Sequence, residues 1–139
     1  MPSGLFSRSD RSKANQVKFF AMLARELCDV SVLSPDGPIS EWPEYIRFIE
    51  GAYACGFVTG DFSATGKLAG GVSYEAVQKT PRIIQDCSLQ TVRHVVHILV
   101  RAERSNLDLI DDEWGTIRQA LATCLVDQIA RRLEALLAD

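Results

Sequence analysis

SLQTVRHVVHILVRAER, residues 88–104, decides how this chain is read. Placed on a helix at roughly 100° per residue, Arg93, Arg104, His97, Gln90, Arg101 and His94 fall on one narrow stripe. Leu89, Val92, Val95, Val96, Ile98, Leu99, Val100 and Ala102 fill nearly all the remaining circumference. A helix this apolar belongs at the centre of a core. Its polar stripe nonetheless carries three arginines and two histidines, and an anionic group, internal or bound, is expected to face it.

The flanking segments read as further helices. Helix one is expected over about 12–28, with Val17, Phe19, Phe20, Leu23, Ala24, Leu27 and Cys28 on its inner face. Val30 and Val32 suggest a short extended piece before the turn Ser34-Pro35-Asp36-Gly37-Pro38. Helix two should begin between Ser40 and Pro43, since proline is tolerated in a first turn. Tyr45, Ile46, Ile49, Ala52 and Tyr53 would make its inner side, and Gly56 its stop. A glycine-rich stretch from Phe57 to Gly71 reads as a surface loop, followed by a short helix over 73–79 that ends before Pro81. Ser88 is placed to cap the central helix. A last helix is expected from Thr116 to Leu137, striped by Leu121, Leu125, Ile129, Leu133 and Leu136, and antiparallel to the central one. The fold class expected is all-α: a single-domain bundle of four to five helices (residues 12–139) behind a flexible tail (residues 1–11).

Composition sets bounds on function. A chain of 139 residues with 47% hydrophobic and 24% charged residues is long enough to bury a core without disulfides or metal. A net charge of −3 gives no global attraction to nucleic acid or to an anionic membrane, and neither is expected as a partner. Charge is nonetheless uneven. Arg8, Arg11, Lys13, Lys18 and Arg25 face only Asp10 in the first 25 residues, whereas Asp108, Asp111, Asp112 and Glu113 form an acidic connector. The opening residues lack the apolar core of a secretory signal and no stretch reaches the length of a membrane span, so a cytoplasmic location is expected. Cys28, Cys55, Cys87 and Cys124 form no CxxC pair and read as small buried hydrophobes.

Three constellations bear on chemistry. Arg93, Arg101 and Arg104 with His97 form a candidate anion-binding set, because guanidinium forks suit carboxylate and phosphate. The favoured reading is that the acidic connector folds back and pairs with Arg101 and Arg104, making the stripe internal architecture. His94 and His97, one turn apart, are weak metal candidates. A zinc site needs three or four protein ligands, and three arginines on the stripe oppose a bound dication. No cofactor is expected. The segment Gly60 to Leu68 departs from a phosphate-binding loop: five residues separate its glycines, and Leu68 stands where a hydroxyl is needed. Trp42 and Trp114, each at a helix entrance, read as aromatic staples on the core.

The pattern His94-x-x-His97-x-x-x-Arg101-Ala-Glu-Arg104, followed by Trp114-Gly115 and ending in Ile129-Ala-Arg-Arg132-Leu133, resembles a family of small bacterial proteins of unknown function. Tyr53-x-x-Gly56-Phe57-Val58 is similar to part of the same pattern. The resemblance covers about half the chain and brings no activity. It implies a bacterial cytoplasmic protein and a shared importance for Arg101 and Arg104. The family's aromatic and glycine after the second arginine are replaced here by Ser105 and Asn106.

Three functions follow as expectations. The first is a non-catalytic protein-interaction or regulatory module, because so little site chemistry is visible; it would act as a homodimer, since the last helix is apolar over much of its circumference, or with a protein partner. The second is a binder of a small anion through the Arg/His stripe. The third is a histidine- or metal-dependent hydrolase centred on His94 and His97.

Overall fold

The computed structural model describes residues 8–33, 35–60, 68, 72–107 and 116–138, with backbone alone at 8–12 and 104–107. Within these residues the fold is an all-α bundle. Six α-helices run in the order α1 (Arg8–Leu33), α2 (Pro43–Ala54), α3 (Tyr74–Lys79), α4 (Leu89–Leu107), α5 (Thr116–Ala122) and α6 (Leu125–Ala138). Two 3-10 turns, Ile39–Glu41 and Pro81–Asp86, precede α2 and α4.

Local signals set most boundaries. The Ser88 hydroxyl accepts the Thr91 amide at 3.2 Å at the start of α4, and Ser73 does the same for Ala76 at 3.0 Å at the start of α3. Both are N-caps that satisfy an amide without an intrahelical partner. Pro43 opens α2, and Gly56, with φ +78°, takes the left-handed conformation that ends it.

Helix one is longer than the periodicity predicts. It starts at Arg8, inside the segment expected to be a tail, and continues to Leu33 through Val30 and Val32. The β-branched residues that suggested an extended piece are held helical because Val30 packs against the core, and tertiary contact outweighs a weak local preference. Its inner face is Val17, Phe20, Ala21, Leu23, Ala24 and Leu27, while Phe19 is exposed. On α2 the inner face turns toward Tyr45, Phe48 and Ala52, leaving Ile46 and Tyr53 outside.

The expected single last helix is two. Cys124 adopts φ +68°, a conformation that costs a side-chain-bearing residue about 1–2 kcal/mol. Backbone bonds from Thr123 to Gln119 (2.9 Å) and from Cys124 to Leu121 (3.2 Å) close α5, and the Gln128 amide reopens the ladder on Cys124. Cys124 is therefore exposed, and Cys28 is only partly buried. The leucine stripe runs through this break without a glycine or proline, so periodicity could not reveal it.

The break redirects α6 away from the expected pairing with α4. Its main partner is α1, with smaller contacts to Pro81–Asp86, α5 and α4. Ile129, Ala130 and Leu133 are buried there. Arg25 locks the α1–α6 seam through Asp127 (2.6 Å) and Glu134 (2.9 Å). On the other side of α6, Gln85 donates to the Gln128 side chain at 2.6 Å and Arg132 to the Cys87 carbonyl at 2.8 Å. None of the described helices is long and apolar enough to cross a membrane.

Candidate functional site

The basic stripe of α4 faces the segment that leaves α2. The Arg93 guanidinium donates to the Gly56 carbonyl at 2.6 Å and lies 5.9 Å from the centroid of the Phe57 ring. The carboxyl end of a helix carries unsatisfied carbonyls and partial negative charge. For Arg93, the negative group expected opposite the stripe is thus the end of α2, a backbone oxygen instead of a carboxylate.

His97 is turned inward as well. It is 5% exposed, and its Nδ1 accepts the Thr59 amide at 3.3 Å, which places the proton of the neutral ring on Nε2. His94 is equally buried, and the two ring centroids are 6.2 Å apart in an edge-on arrangement. Arg101 is exposed. The side chain of Arg104, the acidic connector Asp108–Glu113 and Trp114 lie outside the described residues, as does most of the Gly60–Gly71 segment. The structure therefore sets Arg93 and His97 against residues 56–59, with His94 beside His97 and Arg101 at the surface. Among the described residues no three His, Cys, Asp or Glu side chains gather into a metal-holding group.

Burial lowers the pKa of His97, and the charges of His94 and Arg101 lower it further. A base whose folded pKa is depressed favours the neutral form in the fold. Its contribution to stability is complete above histidine's ordinary value of about 6.5 and is lost as pH falls from there through the folded pKa. Protonation also removes the acceptor that Thr59 uses. Urea midpoints should fall as pH drops below histidine's ordinary value of about 6.5, and the fall should be shallower in His97→Gln. Equal pH slopes in the two proteins would contradict the assignment.

Three features lie off the stripe. The first is Glu103, 1% exposed, whose Oε2 accepts the Tyr45 hydroxyl at 2.5 Å and whose Oε1 accepts the Ile117 amide at 3.0 Å. It ties α4 to α2 and to the first turn of α5. The second is a cleft of about 340 Å³ between the end of α1, the turn before α2 and α5, with Trp42 and Arg118 in its wall. The third is an open groove of about 880 Å³ along the α1–α6 seam. Phe19 (49% exposed), Met22 (47%) and Leu137 (39%) stand out from it.

Glu103 carried a signal in the sequence. At roughly 100° per residue it lies within about 40° of Val92, Val96 and Leu99, so it is an acid on the apolar arc. Arg118 and Trp42 are far apart in the chain, and no spacing rule joins them. Neither a family model, a curated protein nor a solved structure matches this chain.

Proposed function

We propose that this chain is a non-catalytic interaction module that pairs with a second copy of itself through the α1–α6 groove. The observation that carries this reading is the composition of that groove. Phe19, Met22 and Leu137 project from walls whose remaining apolar positions are Ala14, Ala21 and Ala138. Large side chains beside small ones give knobs and recesses on one surface, the condition for a self-complementary two-fold interface. Aromatic residues and methionine are also enriched at the cores of interfaces.

Charge supports the same occupant. Arg25 is already paired with Asp127 and Glu134, and Glu26 with Arg47 at 2.7 Å. Lys18 also lines the groove, so a partner meets one further cation there, and its main gain comes from burying apolar area at about 25 cal/mol per Å². The copy-to-copy pairing expected from the apolar last helix thus shifts in location. α1 covers most of α6, and the surplus that remains is Leu137 beside Phe19 and Met22.

Sedimentation at high micromolar concentration tests the reading. The expected result is a dimer mass that Met22→Glu converts to a monomer mass, with unchanged helical circular dichroism. A monomeric wild-type protein, or a dimer that persists in both Met22→Glu and Phe19→Glu, would overturn it.

A further inference from the structure

The cleft beside Trp42 holds a cation and no acidic side chain. Its wall includes Ser31, Val32, Pro35, Ile39, Arg118 and Leu121 with the indole of Trp42, and none of its lining residues is acidic. The Arg118 guanidinium lies 5.7 Å from the centroid of the Trp42 ring. Among the described residues no carboxylate pairs with it. Its Nε is buried without a hydrogen-bond partner, and so is Nε1 of Trp42, a residue only 6% exposed. The Ser31 hydroxyl donates to the Cys28 carbonyl at 2.9 Å.

Buried donors are ordinarily paired, because an unmet one costs about 1–3 kcal/mol. Here two of them, one on a cation, sit in the wall of one cleft. What would complement the place is an acceptor-rich, negatively charged group. A guanidinium held over an aromatic ring presents its flat fork to a carboxylate while the ring supplies an apolar platform.

We propose that this cleft binds a small organic carboxylate with an apolar body, its carboxylate on Arg118 and its body among Trp42, Ile39, Val32 and Leu121. One cation matches one negative charge, and apolar walls penalise a more highly charged, strongly hydrated anion such as phosphate. The carboxyl end of α1, near Ser31 and Val32, repels negative charge. The carboxylate therefore sits on the α5 side, toward Arg118, with the apolar body toward α1. The site is separate from the α1–α6 groove.

Sodium benzoate is a suitable probe, followed by the indole N–H resonances in a nitrogen–proton correlation spectrum of uniformly labelled protein. The Trp42 signal is assigned by its disappearance in Trp42→Phe. Benzoate should shift that signal saturably, and Arg118→Met should weaken binding at least tenfold. Arg118→Lys, which keeps the charge and loses the fork, should fall between, and it covers the case in which Arg118→Met does not fold. Benzyl alcohol, which has the same ring without the charge, should not saturate the signal. Absence of a saturable shift would overturn the proposal, as would equal affinity in wild type and Arg118→Lys. Saturation by inorganic phosphate as tight as by benzoate would make this a simple anion site and overturn the carboxylate assignment.

Discussion

Glu103→Leu is expected to lower the free energy of unfolding by about 3–5 kcal/mol, against total stabilities of about 5–15 kcal/mol for domains. The carboxylate offers two acceptor oxygens and both are used, one by Tyr45 on α2 and one by the Ile117 amide in α5. Hydrogen bonds to a charged group contribute about 1.5–3 kcal/mol each, and each donor left buried and unpaired costs a comparable amount. Leucine fills much of the volume, so the effect isolates the polar loss from a cavity. Glu103→Gln keeps a carbonyl acceptor and should cost about half as much. The loss should also be local before it is global. Ile117 stands in the first turn of α5, where amides have no intrahelical partner, so amide exchange across Thr116–Ala122 should rise more than across α1. Urea unfolding and hydrogen exchange measure the two parts. A leucine variant within about 1 kcal/mol of wild type would show that the contact carries little of the stability assigned to it.

Phe20→Ala is expected to cost a similar amount, about 3–5 kcal/mol, for an apolar reason. The Phe20 ring stacks on Phe57 with centroids 4.3 Å apart and meets Phe48 at 5.1 Å. All three are fully buried, and they join α1 to the middle of α2 and to the turn that follows α2. Truncation removes most of an aromatic side chain and leaves a void that packed neighbours cannot collapse into. Aromatic pairs add about 0.5–1.5 kcal/mol beyond the area they bury. Phe20→Leu, which refills much of the space without the ring, should therefore recover more than half of the loss. The same denaturation curves test this, and equal losses in the alanine and leucine variants would place the stabilisation in ring stacking instead of volume.

The sequence is most legible where one helix face decides burial. The apolar arc of α4 is buried as its spacing predicts, and the cap at Ser88 and the stop at Gly56 fall where local chemistry puts them. It is least legible where the chain departs from local preference. Nothing in Thr123-Cys124 announces a helix break, because the left-handed residue is a cysteine and the leucine stripe continues across it. The extension of α1 through Val30 is likewise a packing effect, whereas Val32 beyond it is 82% exposed. At the stripe, periodicity gives which side chains share a face but not what each of them meets. That Arg93 serves a carbonyl and His97 an amide depends on how residues 56–59 return across α4. The pairing of Arg118 with Trp42 depends on α5 being a separate element from α6. Glu103 was readable as an acid on an apolar arc, although its two donors were not.

The seam between α1 and α6 has a consequence for the order in which the molecule is made. Arg25 reaches Asp127 and Glu134 across 102 and 109 residues of chain, so α1 is synthesised long before the helix that covers it. Until α6 leaves the ribosome, the apolar face of α1 has only α2 as its principal neighbour, and loop closure over that span must precede the contacts that reward it. A nascent chain halted within α5 would present an amphipathic 26-residue helix with half its cover missing, the kind of surface that chaperones hold. The cover over α1 is therefore completed only when this 14-residue helix arrives.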